Sequence, residues 1–162
     1  KIIEKSRFLT FSAHVESEEE AKAFVAKIRS KHSLATHVCY AFICDKTGNL
    51  QRFSDDGEPQ GTAGIPILEV LKNKKMYKTV AVVTRYFGGI KLGTGGLTRA
   101  YGGAVSECLK VSNVVDRLYV YDNSIDGEEA KLQFRLVNGS VEKIYVDKLP
   151  EWAQTIMPNI EL

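Results

Sequence analysis

The stretch TVAVVTRYFGGIKLGTGGLTRAY, Thr79 to Tyr101, decides how this chain folds. Its first eight residues are rich in β-branched and apolar side chains, which predicts a strand over Thr79 to Tyr86. From Leu97 onward, Leu97, Ala100, Tyr101, Ala104, Val105, Cys108 and Leu109 recur with helical period, a stripe of about three and a half turns. A glycine-rich connection joins the two. The seventeen residues from Arg85 to Tyr101 hold five of the chain's 13 glycines, three basic residues and three aromatics, so the loop has a use beyond reversing direction.

Working outward, RFLTFSAHV (Arg7 to Val15) alternates as a half-buried strand, with Leu9, Phe11, Ala13 and Val15 on one face. Ser17 with Glu20 three positions later forms a capping box. Ala21, Phe24, Val25 and Ile28 then predict a helix over about Glu18 to Ser30, its acidic first turn and basic last turn matching the macrodipole. HVCYAFIC, His37 to Cys44, is almost wholly apolar, as an interior strand is, and Lys46-Thr47-Gly48-Asn49 turns the chain into the short strand LQRFS. After the polar loop DDGEPQGTAG, the segment IPILEVLK has a proline where a first helical turn tolerates one, and a modest helix follows. Beyond Asn113 the texture changes to alternating strands, RLYVYD, AKLQFRLV and VEKIYV, with an Asn138-Gly139 hairpin signal and a short helix expected over PEWAQTIM. The expected domains are 1–113 and 114–162.

The chemistry concentrates in two places. Gly88, Gly89, Gly93, Gly95 and Gly96 let main-chain N–H groups approach a ligand without Cβ interference, just ahead of a helix N-terminus. Arg85, Lys91 and Arg99 add full positive charges, so phosphate is the natural guest, and Tyr86 and Phe87 offer faces on which bases stack. Neither the P-loop spacing nor a dinucleotide fingerprint is present. Glycine-dense strand-to-helix packing with no ligand is the competing reading. In SDDGEPQGTAG, Asp55, Asp56 and Glu58 set three carboxylates in one turn, which invites Mg²⁺ or, more economically, pairing with Arg85, Lys91 or Arg99. The oxygen-ligand ladder of an EF-hand is missing. His37, at the head of its strand, stands near enough to Asp56 to be considered as a general base.

Other classes are disfavoured. Net charge is +2 with pI near 8.4, too mild to announce nucleic-acid binding by composition, so any phosphate affinity is local. Cys39, Cys44 and Cys108 are odd in number and lie in apolar patterns, which reads as reduced thiols without a metal. No membrane span or signal peptide is legible, and the expected compartment is the cytoplasm. Three histidines without paired spacing make zinc improbable, and no nucleophile elbow occurs.

ATHVCYAF, RFSDDGEPQGTAGIPIL and VVTRYFGGIKLGTGGLTRAYGGA, in this order and at these distances, resemble the signature of the IMPACT family, its YigZ-type bacterial members included. The likeness runs from about Lys5 to Val111. It implies an α/β (α+β two-layer) N-terminal domain like the second domain of a small-subunit ribosomal protein, also shared by domain IV of elongation factor G and by small-metabolite kinases. It further implies a smaller ferredoxin-like C-terminal domain, here short and incomplete for a full βαββαβ unit. The family motif falls on His37, Asp55, Asp56, Gly57, Glu58, Gly61, Thr62, Arg85, Phe87, Gly88, Gly89, Lys91, Gly93, Gly95, Gly96, Arg99 and Tyr101, all present. KNKKMYKTV departs from the family's lead into the strand at Thr79.

Three functions are then open. The first is a non-catalytic binding protein in translation or its regulation, gripping RNA or ribosomal phosphates with the basic glycine loop. The second, which the resemblance implies from eukaryotic relatives, is a regulator of a translation stress pathway that acts by binding a protein partner. The third is a Mg²⁺-dependent enzyme acting on a phosphorylated small molecule or nucleotide. No cofactor is required by the first two, and the state of association is not legible.

Overall fold

In a computed structural model, the chain divides into two compact units, Lys1–Ser112 and Asn113–Leu162. The structure describes residues 1–111, 116–122, 128–137 and 140–145.

The first unit is a five-stranded, wholly antiparallel sheet with helices on both faces. In chain order the elements are β1 (Ile2–Ile3), β2 (Ser6–His14), α1 (Glu18–Lys31), β3 (His37–Ile43), β4 (Gln51–Ser54), α2 (Gly64–Asn73), β5 (Thr79–Tyr86) and α3 (Thr94–Val111). The strands lie in the order β1-β2-β5-β3-β4, so β5 holds the centre and β4 an edge. The mixed α/β class holds, and a helix on the second face adds a layer to the two expected. Side-chain alternation explains why. Ala81 and Val83 on β5 join Cys39, Ala41 and Ile43 of β3 in a core closed by α2 and α3, whereas Val80 and Val82 pack with Val38, Phe42 and α1. A strand buried on both faces is apolar at every position, which is what TVAVV shows.

Local signals mostly fix the ends. Ser17 caps α1 by accepting the Glu20 N–H at 3.1 Å, while the Glu20 carboxylate takes the N–H of Glu16. α3 buries Leu97, Ala100, Tyr101, Ala104, Val105 and Leu109, its larger side chains each stabilising by about 1.5–3 kcal/mol. It starts at Thr94, three residues before its apolar stripe, so Gly95 and Gly96 are helical and not part of the loop. Glycine's low propensity hides that turn from a periodicity reading. The two-residue β1 was not legible either; a tight turn with Glu4 and Lys5 at φ 46° and 64° folds it onto β2.

In the second unit β6 (Asp116–Asp122), β7 (Glu128–Val137) and β8 (Ser140–Tyr145) form a three-stranded antiparallel sheet in sequence order. The ferredoxin-like reading rests on this sheet. The expected hairpin turn at 138–139 and helix over 150–157 lie outside the described residues.

Candidate functional site

The acidic loop after β4 is built into the fold. Asp55 reaches forward to the start of α2, accepting the N–H groups of Ala63 at 3.1 Å and Gly64 at 2.7 Å on Oδ1 and that of Gly61 at 2.9 Å on Oδ2. Ala63, the residue at the N-cap, has no side chain for the task, so Asp55 caps this helix from eight and nine residues away. Burial pushes the Asp55 carboxyl up, but the three main-chain N–H bonds outweigh it and hold it below the usual carboxylate range. Asp56 accepts the Val38 N–H at 2.7 Å and meets Arg29 at 3.3 Å. Thr62 bonds its hydroxyl back to Pro59, and Gly57 takes φ 89°, a left-handed conformation that favours glycine.

Glu58 is the hub. Arg85 Nη1 donates to both its oxygens, at 2.9 and 2.7 Å, and the Tyr101 hydroxyl donates to Oε2 at 2.6 Å. His37 Nε2 lies 3.1 Å from Oε1, and His37 Nδ1 donates to the Asp56 main-chain oxygen at 2.8 Å. Glu58 and Arg85 side chains are 4% and 5% exposed. Burial, then the neighbouring Cys39 and Glu58, raises the Tyr101 hydroxyl far above its ordinary range, and burial pushes the Cys39 thiol up to about 12. Both groups are therefore neutral at physiological pH, leaving Glu58 and Arg85 as the compensating charges.

This geometry places several of the expected residues elsewhere. Arg85 is buried and paired with Glu58, not presented at the loop. It shares the β5 face of Ala81 and Val83, so alternation drives its guanidinium into the core, 5.6 Å from the centre of the Phe8 ring and against Ser6 Oγ at 3.3 Å. Tyr86, on the opposite parity, turns to the α1 side and bonds His32 Nδ1 through its hydroxyl at 2.7 Å, away from the Arg85 face. Both ring nitrogens of His37 face groups of its own fold, Nδ1 the Asp56 carbonyl and Nε2 the Glu58 carboxylate, which turns the ring away from general-base work on a bound molecule. No group of three His, Cys, Asp or Glu side chains among the described residues is arranged to hold a metal. For Mg²⁺ the reason is visible: the carboxylates that were to hold it point separately at α2, at β3 and at Arg85.

The glycine loop is a different place with a different character. Gly88 is pressed onto the β1–β2 turn, where a Cβ would fall 2.0 Å from the Lys5 carbonyl oxygen, and its N–H reaches Ser6 Oγ at 3.4 Å. Phe87 donates its N–H to Thr36 Oγ1 at 3.0 Å and leaves its ring 47% exposed, 5.4 Å from the Arg85 guanidinium carbon. Gly89, at φ 87°, begins the exposed run Gly89-Ile90-Lys91. Gly93 accepts the Leu97 N–H at 2.9 Å, the first bond of α3, so the N–H groups of Thr94, Gly95 and Gly96 form the open end of the helix. No acidic residue lies in that first turn, and Arg99 folds back over it, its Nη1 3.3 Å from where a Gly95 Cβ would sit. Among the described residues neither Lys91 nor Arg99 has an ion-pair partner. The predicted residues thus fall into two sets: a network within the fold, in which Glu58, Arg85 and Tyr101 are buried and His37, Asp55 and Asp56 half-buried, and a rim of Phe87, Gly89, Lys91, Gly93, Gly95, Gly96 and Arg99 at the surface. Of the basic residues set against the acidic loop, only Arg85 pairs with it. Ser6 and Thr36, which anchor the loop, were missed; Ser6 shares the strand parity of Phe8, the one signal that it faces inward.

No helix among the described residues is long and apolar enough to cross a membrane. The model of the Impact N-terminal domain family matches residues 4–109. YvyE, an IMPACT family member of Bacillus subtilis (strain 168), is 48% identical over 145 residues, covering 83% of this chain and 67% of that protein. An IMPACT family member of Haemophilus influenzae is 44% identical over 162 residues, 99% of this chain and 76% of that protein. Among solved structures, the crystal structure of a hypothetical protein, 44% identical, superposes with TM-score 0.66 over 74% of this chain and 61% of that one, so the chain spans less than two thirds of that protein's length. With the family's domain matched over more than half its length and relatives of this identity aligned along most of it, the chain belongs to the IMPACT family.

Proposed function

We propose that this chain is a non-catalytic binding protein in the regulation of translation, the setting the family resemblance implies, and that it holds RNA or ribosomal phosphates at the open end of α3. The observation that carries the reading is the arrangement at Gly93–Arg99: unbonded helix N–H groups, no acid in the first turn and the Arg99 guanidinium folded over it. A helix dipole and free amides favour an anion there, Lys91 and Arg99 add mobile charge, and the exposed Phe87 ring gives a base a face to stack on. Bonds of Phe87 to Thr36 and of Gly88 to Ser6 anchor the start of the loop, and anchoring lowers the ordering entropy that binding costs.

Fluorescence anisotropy of a labelled RNA hairpin across a salt series tests this. Lys91→Ala/Arg99→Ala should weaken binding about tenfold near 0.1 M salt and lower the salt slope by about two. Wild-type binding that ignores salt, or a double variant indistinguishable from wild type, would remove the reading.

A further inference from the structure

β4 is an edge of the sheet, paired with β3 on one side alone. In the β3–β4 ladder the Cys44 N–H bonds the Leu50 carbonyl at 2.9 Å, and Ile43, Phe42, Ala41 and Tyr40 stand opposite Gln51, Arg52, Phe53 and Ser54. Antiparallel alternation then turns the main chains of Arg52 and Ser54 toward β3 and those of Gln51 and Phe53 outward. One of these outward groups is guarded: Arg52 Nη1 donates to the Gln51 carbonyl at 2.8 Å.

The two faces flanking this edge differ in chemistry. On the α1 side a trough of about 410 Å³ runs between helix and strand, lined by Lys22, Val25, Ala26, Arg29, Ser30 and Tyr40. Arg52 projects on the same face, since it stands opposite Phe42, which packs against α1. On the other face Phe53 is 47% exposed and Ile65, at the start of α2, is 41% exposed. A strand added here sends alternate side chains to the two faces. One set meets cations and the other meets apolar surface.

We propose that the β4 edge binds an extended segment of a partner protein in which acidic and apolar residues alternate. The acidic set faces Lys22, Arg29 and Arg52, and the apolar set covers Phe53 and Ile65. Charge selects this occupant. Glu18 and Asp56 touch these three cations through exposed pairs of 3.3–3.5 Å, weak contacts that an incoming carboxylate displaces. A carboxylate that takes the Arg52 guanidinium also frees the Gln51 carbonyl, so a strand without acids gains less from the edge. A second copy of the chain is disfavoured, because pairing β4 with β4 sets Lys22, Arg29 and Arg52 of both copies together.

The test uses the full chain and an eight-residue capped peptide of alternating Glu and Val, with alternating Lys-Val and a blocked Glu-then-Val sequence as controls. Binding is followed by fluorescence anisotropy, and the Gln51 and Phe53 amides by hydrogen exchange. The alternating acidic peptide should bind at least about tenfold more tightly than either control and slow exchange at both amides about tenfold or more. Arg52→Glu changes an exposed side chain and should weaken that peptide about fivefold to tenfold while improving the Lys-Val peptide. Lys91→Ala/Arg99→Ala should leave peptide binding unchanged, which separates this site from the phosphate reading. Equal affinity for the three peptides, β4 amides indifferent to peptide, RNA displacing the peptide, or a dimer in solution that Arg52→Glu strengthens would each overturn the proposal.

Discussion

Glu58→Ala removes the one carboxylate on which Arg85, Tyr101 and His37 converge. The Arg85 side chain is 5% exposed, so without Glu58 its charge keeps, among the described residues, only Ser6 Oγ as a hydrogen-bonding partner. Breaking a buried pair by deleting one member costs about 3–5 kcal/mol, and the Tyr101 hydroxyl, left with the Cys39 thiol as its neighbour, adds about 1. These terms overlap because relaxation that wets one group wets the other, and a net loss of about 4 kcal/mol is expected. Against a stability of about 5–15 kcal/mol for a domain of this size, that is about a quarter or more of the total. Urea unfolding followed by circular dichroism measures it, and thermal melting should fall by roughly 15–30 °C. Glu58→Leu/Arg85→Met supplies the decisive comparison. It removes both charges and fills the space, so it should recover to within about 2 kcal/mol of wild type if the cost lies in the orphaned charge. A Glu58→Ala loss below about 1 kcal/mol, or a double variant no better than the single, refutes the argument that Glu58 and Arg85 exist for each other.

Two further perturbations test the frame around the loop. Asp55 has a folded pKa below its unfolded value, so its contribution is fully present above the unfolded pKa of about 4 and is lost as pH falls through the folded one. Asp55→Asn should therefore cost about 1–2 kcal/mol at pH 7 and show a flatter acid-unfolding profile below about pH 4, read by urea titrations at several pH values; a profile parallel to wild type contradicts the capping role. Gly88→Ala places a Cβ against the Lys5 main chain, which must move, so a loss of about 2–4 kcal/mol and faster amide exchange in the β1–β2 turn are expected. Full stability in that variant would show that the contact is soft.

What the sequence by itself determined are the features carried by neighbours in the chain. The Ser17–Glu20 cap, the period of Ala21, Val25 and Ile28, the two-sided apolar run of Thr79 to Tyr86 and the stripe from Leu97 to Leu109 each depend on residues within a few positions, and each appears where the pattern places it. The glycine-rich and acidic motifs were equally visible as motifs. What each residue does was decided only by tertiary structure. Arg85 reads as one of three equivalent cations until the β2–β5–β3 register fixes its parity and brings Glu58, 27 residues away, against it, with Ser6 79 residues away on the same guanidinium. Asp55 reads as one of three clustered acids until α2 presents its unbonded N–H groups to it. Lys91 and Arg99 stay at the surface for the opposite reason: no strand parity turns them inward. Periodicity tells which face a side chain takes; what waits on that face is a contact between distant segments, and only their packing chooses it.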